Sequence, residues 1–370
     1  MSKAAELAAL IGSQTALSNR NLIINGAMTV NQRGDSTSKT ATGYYGPDRF
    51  QWIISNLGTW SISQSTTVPS GKGFGYSYKL EATTADASPA AGDFAILSQK
   101  IEGQNLQLLK KGTSDAESVT LSFWARSSKT GTFVIELYDT DNTRSISKSS
   151  SISSIDTWEY KTITFAGDTT GAFTNDANES LQVNWWLGAG STYSSGTLNT
   201  SWGSRTNADI AAGVANLADT ANATFYITGV QLEVGDTATP FEHESYDTTI
   251  QKCYRYYYKT NLDIGTNSPY IIGSYALGVG ATLIWCITDY PVPMRIRPTA
   301  LEQSGTASDY GVLRVGVSTA VTCSAVPTYT GGTNLKRGIS QFTASGVTNG
   351  AAGLPMNNTT NGYLAWSAEL

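Results

Sequence analysis

The 370-residue sequence carries one histidine, three cysteines and only 14% charged residues. A lone histidine, His243, excludes a multi-histidine metal centre, and no serine or cysteine nucleophile motif surrounds it. No catalytic residue, metal ligand or cofactor site is therefore expected. Cys253, Cys286 and Cys323 are odd in number and far apart, so a disulfide framework is not expected. Buried thiols in a chain folded in a reducing cytosol are the simpler expectation. The N-terminus lacks the charged head and long apolar core of a secretion signal. No apolar run approaches the ~20 residues a membrane helix requires, so no membrane insertion is expected. The net charge of −5 argues against a general nucleic-acid or anionic-membrane binder.

Glycine, at 36 residues, is abundant, as are serine and threonine, which favours many short strands and tight turns over long helices. The length suggests two domains. Strand signals are dense between residues 119 and 187. Val119, Leu121 and Phe123 alternate with Thr120, Ser122 and Trp124; Phe133, Ile135 and Leu137 alternate with Val134, Glu136 and Tyr138. Tyr160, Thr162 and Thr164 alternate with Lys161, Ile163 and Phe165, and Leu181, Val183, Trp185 and Leu187 with Gln182, Asn184 and Trp186. Period-two segments divided by Gly, Ser, Asn and Asp turns predict an antiparallel sandwich.

The chain pivots on Ala223 to Lys259. Phe225 and Ile227 have one parity, whereas Val230, Leu232 and Val234 have the other, so a β-bulge is expected at Gly229. A strand curved in this way suits the closing edge of a sandwich. From Asp247, a possible N-cap, the stripe Ile250, Cys253, Tyr254, Tyr257 predicts a short helix that hinges two β modules. Residues 260–370 are again strand-like, around Tyr270–Ile272, Leu283–Ile287, Val312–Val317 and Gly362–Leu370, with an extended segment punctuated by Pro291, Pro293 and Pro298. At the other end, Ser2, Ala4, Leu7, Ala8, Ile11 and Gly12 outline an amphipathic helix too short to be stable unless it packs on something else.

Several chemistry-bearing patterns fall short. Asp139-Thr140-Asp141-Asn142 opens like a calcium loop, but Arg144 stands where the glycine belongs and Ser150 where the glutamate belongs, which leaves a hairpin turn. Gly71-Lys72-Gly73 has no Ser/Thr-capped helix after it to cradle phosphate. Arg33-Gly34-Asp35 reads as a polar turn. A glycosidase needs two placed carboxylates and nothing selects a pair among 29 acidic residues.

Glycan recognition commonly rests on stacking a sugar's apolar face on an aromatic ring. Trp124 shares parity with Thr120, Ser122 and Arg126, and Trp186 with Gln182 and Asn184, so both point away from a simple core. If their strands are neighbours, Trp124, Arg126, Glu136 and Trp186 line one sheet face, with Tyr193 and Trp202 from the following Gly/Ser-rich loop as a rim. The alternative is that these tryptophans pack beneath a loop or at a subunit interface, where aromatics are enriched.

The string NLIINGAM-V-QRG from Asn21, followed by GPDRF-W at Gly46 to Trp52, resembles the opening of a domain common in bacteriophage tail-fibre-type virion proteins. GVQLEVGDTATPFE from Gly229, followed by CYRYY, resembles its close, and the ending GYLAWSAEL resembles fibre-protein C-termini. The segment VTLSFWARS with the QLEVG ending is similar to jelly-roll carbohydrate-binding modules. The resemblance implies an all-β chain: residues 1–19 as an N-terminal helix or attachment segment, 20–246 as an antiparallel jelly roll, 247–259 as a linker helix and 260–370 as a second, smaller β domain. It implies a non-catalytic virion appendage mediating host attachment, a homotrimer bound to other tail or capsid proteins through residues 2–18, with host surface glycan as a further partner. The alternatives are a lectin or glycan depolymerase, although no internal repeat of a parallel β-helix is present, and a capsid-attached fibre or decoration protein.

Overall fold

The computed structural model describes residues 20–260, 270–273, 275–314 and 319–370. The expected helix at residues 2–11 lies outside the described residues. The chain is all-β and divides into two units, the first running to Thr249 and taking in Leu370, the second from Ile250 to Glu369.

The first unit opens with β1 (Ser36–Lys39), β2 (Gly43–Tyr44), β3 (Phe50–Ser55), β4 (Thr59–Ser65) and β5 (Ser77–Thr84). Next come β6 (Phe94–Glu102), β7 (Val119–Ser127), β8 (Gly131–Asp139), β9 (Arg144–Ile152) and β10 (Glu159–Phe165). It ends with β11 (Glu179–Ala189), the one-turn α1 (Ser191–Ser194), β12 (Gly203–Ser204) and β13 (Ala223–Val234). The strands form an antiparallel jelly-roll sandwich. One sheet has six strands in the order β1-β4-β5-β13-β7-β10, the other seven in the order β12-β9-β8-β11-β6-β3-β2. Alternation sends Leu121, Phe123, Ile135, Leu137, Val183 and Trp185 into a single core between the sheets, where Trp52 and Trp60 meet at 4.7 Å.

The bulge expected in the last strand is present: the register of β13 against β7 shifts between Thr228 and Gln231, and Gly229 takes φ +63°. The extra residue switches parity, so Phe225, Ile227, Val230 and Leu232 all reach the core. The strand is not the closing edge, however. It lies inside the six-stranded sheet between β5 and β7, because both its sides find partners. Its first half pairs with β5 over Ala223–Ile227. Its second half is met by the start of the described chain: Leu22 N–H donates to Leu232 O at 2.8 Å, Val230 N–H to Gly26 O at 3.0 Å, and Asn21 Nδ2 to Val230 O at 3.1 Å. The Asn21 backbone N–H donates to Glu242 Oε2 at 3.0 Å. The two segments quoted above for their likeness to phage fibre proteins thus meet in space as the clasp that closes the sandwich.

The helix after the clasp, α2 (Tyr246–Tyr254), starts one residue before Asp247, and the cap is Ser245, whose Oγ accepts from Thr248 N–H at 3.3 Å. Tyr257 has left the helix and opens β14 (Tyr257–Lys259) opposite Ser367. The second unit continues with β15 (Tyr270–Ile271), β16 (Tyr275–Gly278), β17 (Leu283–Asp289), β18 (Glu302–Gln303) and β19 (Tyr310–Arg314). It closes with β20 (Val321–Thr322), β21 (Ala325–Tyr329), β22 (Arg337–Thr343), β23 (Gly353–Asn357) and β24 (Leu364–Ser367). These form three antiparallel sheets, β14-β24-β18, β15-β23-β19-β20 and β16-β17-β22-β21, around Ile284, Cys286, Tyr310, Phe342 and Trp366. All three cysteines are buried and none is in a disulfide among the described residues. Burial pushes the Cys286 thiol up to about 11 and the Cys323 thiol to about 12, so both stay protonated at neutral pH and are poor nucleophiles.

Candidate functional site

Trp124 and Trp186 do not share a face. Trp124 is on β7 in the six-stranded sheet and Trp186 on β11 in the seven-stranded sheet, so their outward side chains leave opposite sides of the sandwich. Sheet membership follows from long-range pairing: β7 pairs with β10 and β13, β11 with β6 and β8.

The Trp186 side is closed. Residues 190–216 fold over the seven-stranded sheet, and Ile210, Ala211 and Leu198 pack on Ile96, Val134 and Trp186. Tyr193, carried by α1, lies against Trp186 at 5.6 Å and Phe94 at 5.2 Å. Glu136 is fully buried, and its carboxylate accepts from Arg205 Nε at 2.7 Å, Trp186 Nε1 at 3.0 Å and Asn184 Nδ2 at 3.2 Å. These groups fasten the covering segment and offer no platform to a sugar. Glu136→Ala strands three donors, and the loss should be about 2–3 kcal/mol in urea unfolding at neutral pH; an unchanged midpoint would deny Glu136 this role.

Trp202 is not a rim to Tyr193 either. Its Nε1 donates to Ala166 O at 2.7 Å, and its ring lies 5.5 Å from the Lys111 ammonium at one end of the core. Lys111 donates to Asp139, the first residue of the calcium-like stretch. Among the described residues no group of three or more His, Cys, Asp or Glu side chains is placed to hold a metal. His243 is exposed, between the rings of Phe74 (5.3 Å) and Phe241 (4.9 Å).

The open side is the outer face of the six-stranded sheet, where Trp124 and Arg126 do lie together. Trp124 is the cross-strand partner of Tyr160 on β10, with the rings 5.2 Å apart, and of Thr228 on β13. Arg126 is the partner of Tyr226 on β13 and its guanidinium lies 5.3 Å from that ring. Trp158 meets Tyr226 edge-on at 6.2 Å, and the Tyr76 carbonyl accepts from Thr228 Oγ1 at 2.7 Å. Tyr160 is 46% exposed and Tyr76 38%, with Trp124, Tyr226 and Trp158 half-buried. The strip crosses β13, β7 and β10, a width of about 10 Å from two interstrand spacings. Lys79 pairs with Glu81 at 2.5 Å and Arg126 with Asp156 at 3.1 Å along its sides. Of the residues predicted from sequence, Trp124 and Arg126 belong here. Tyr160, Tyr226, Trp158 and Tyr76 were missed, although the parity that singled out Trp124 also singles out Tyr160 and Tyr226 among their threonines.

No protein-family model and no curated protein matches the sequence. Among solved structures, the chain is similar to the enzymatically active domain of tailspike protein 4 of bacteriophage CBA120, at 14% identity and a TM-score of 0.31 over 58% of this chain. The similarity spans only 22% of that tailspike chain. It is also similar to a family 11 carbohydrate-binding module of a Clostridium thermocellum cellulosomal cellulase, at 10% identity and a TM-score of 0.27, over 57% of this chain and 98% of that one. A third similar structure is a carbohydrate-binding module solved with β-1,4-galactotriose, at 12% identity and a TM-score of 0.29, over 59% of this chain and all of the other. No residue role is carried across from any of them.

Proposed function

We propose that this chain is a non-catalytic attachment protein of a bacteriophage virion whose first unit binds host-surface glycan on the outer face of the six-stranded sheet. The observation that carries the reading is the open strip of Trp124, Tyr160, Tyr226, Trp158 and Tyr76, because aromatic rings that reach the surface side by side across neighbouring strands suit the apolar faces of successive sugars. The virion role rests on the likeness of the opening and closing segments to phage fibre proteins. In this reading the chain is a homotrimer docked on other virion proteins through residues 2–18. Weak sites repeated on one particle raise avidity without any stronger single contact.

Affinity electrophoresis against a panel of bacterial surface polysaccharides tests it. Trp124→Ala should weaken binding roughly tenfold or more while the circular dichroism spectrum stays that of the parent. Undiminished binding would remove the face from the reading. Intact binding with a dissolved oligomer would reassign the strip to a subunit contact, and release of reducing ends would overturn the non-catalytic assignment.

A further inference from the structure

Beside the aromatic strip stands a cation that no carboxylate among the described residues neutralises. Lys79 and Arg126 each have a carboxylate partner, Glu81 and Asp156. The Lys72 ammonium has no ion pair among the described residues and lies 5.4 Å from the centroid of the Trp124 ring. The whole chain has net charge −5, so an unpaired ammonium on this face runs against the molecule's overall sign. Lys72 is exposed and stands between Gly71 and Gly73, which take φ +70° and +83°. A cation over a ring at an exposed site is weakly held. A sugar that stacks on Trp124 would displace the ammonium to the ring's edge, where it would face the sugar's substituents.

Resting on the glycan reading above, we infer that this face selects acidic polysaccharide, with Lys72 meeting a sugar carboxylate beside Trp124. The carboxylate accepts a charge-assisted hydrogen bond from the ammonium while the pyranose ring takes the aromatic platform. A neutral glycan keeps the platform and loses the ionic contact. The acidic remainder of the protein repels such a polymer, which confines it to this face.

The test titrates the full chain with polygalacturonate, alginate and hyaluronate, each alongside its carboxyl-reduced form, at low and high salt. At least one acidic polymer should bind roughly tenfold more tightly than its reduced form, and added salt should shrink the difference. Lys72→Gln should remove most of that difference and leave the reduced polymer's affinity unchanged; Lys72→Arg should restore it. Equal affinity for acidic and reduced forms, or a preference untouched by Lys72→Gln, overturns the inference and leaves the glycan reading standing. Failure of every polymer in both forms overturns the inference together with the reading beneath it.

Discussion

Lys111→Met is expected to cost the first unit about 3–5 kcal/mol, because it removes one partner from a buried ionic cluster and leaves the other inside. The Lys111 side chain is 4% exposed and that of Asp139 is 0% exposed. The ammonium donates to Asp139 Oδ2 at 2.5 Å, Gly171 O at 2.6 Å and Thr170 O at 2.9 Å, and lies 3.0 Å from Asp168 Oδ2. The Phe173 and Trp202 rings cover it at 5.1 and 5.5 Å. The lysine therefore ties the β8–β9 turn to the chain after β10, and methionine fills its volume without satisfying a single oxygen. Burial alone would raise the Asp168 carboxyl, but hydrogen bonds from Arg144 and Lys111 outweigh it and hold the group below the usual carboxylate range. A depressed carboxyl contributes stability that is present above its unfolded value, about 3.9, and lost as pH falls through the folded value. Urea unfolding of the parent should thus weaken steeply below about pH 4, and the variant's curve should be shallower there. Asp139→Asn in the Lys111→Met background should recover part of the loss. A single variant within 1 kcal/mol of the parent at pH 7 would contradict the cluster's role.

The second large effect is expected at the clasp. A Cβ on Gly26 would sit 2.1 Å from Val230 O and 3.1 Å from Val230 C, both backbone atoms of the central strand β13. Neither can move aside without breaking the bond from Val230 N–H to Gly26 O and the neighbouring pair from Leu22 to Leu232. Gly26→Ala should therefore destabilise the first unit by about 2–3 kcal/mol, in the range of overpacked interiors. It should also expose the second half of β13 to faster amide exchange, whereas β5 and the first half of β13 keep their protection. Unchanged exchange at Val230 and Leu232 would show that the opening segment does not hold the strand. Asn21 gives the same reading from the polar side, since its amide both donates to Val230 O and accepts from Leu232 N–H.

Local pattern carried much of this fold. Alternation across 119–127 and 181–187 told inward from outward correctly, and the parity break at Gly229 marked a real bulge. Pattern could not say which strands are neighbours, because pairing joins residues far apart in the chain, Trp124 with Tyr160 and Thr228 and Trp186 with Ile96 and Val134. Trp124 and Trp186 have the same local signature, yet one lies on an open face and the other under residues 190–216. What covers Trp186 is a loop rich in Gly, Ser, Thr and Asn in which Tyr193, Leu198, Ile210, Ala211 and Val214 supply the apolar contact, too scattered to announce a lid. Glu136 was readable as a neighbour of Trp186, but its burial depended on Arg205, 69 residues away. The edge position expected for β13 failed for the same reason: the flank opposite β7 is filled by β5 along the first half of the strand and by Asn21 to Gly26, some 209 residues earlier in the chain, along the second.

The most direct measurement follows the indole N–H resonances of the nine tryptophans while the tightest-bound surface polysaccharide is titrated in. Binding on the outer face of the six-stranded sheet should shift Trp124 and Trp158 and leave the fully buried Trp52, Trp60, Trp185 and Trp186 in place. Shifts centred on Trp186, or on the 45% exposed Trp285 of the second unit, with Trp124 unmoved, would contradict it.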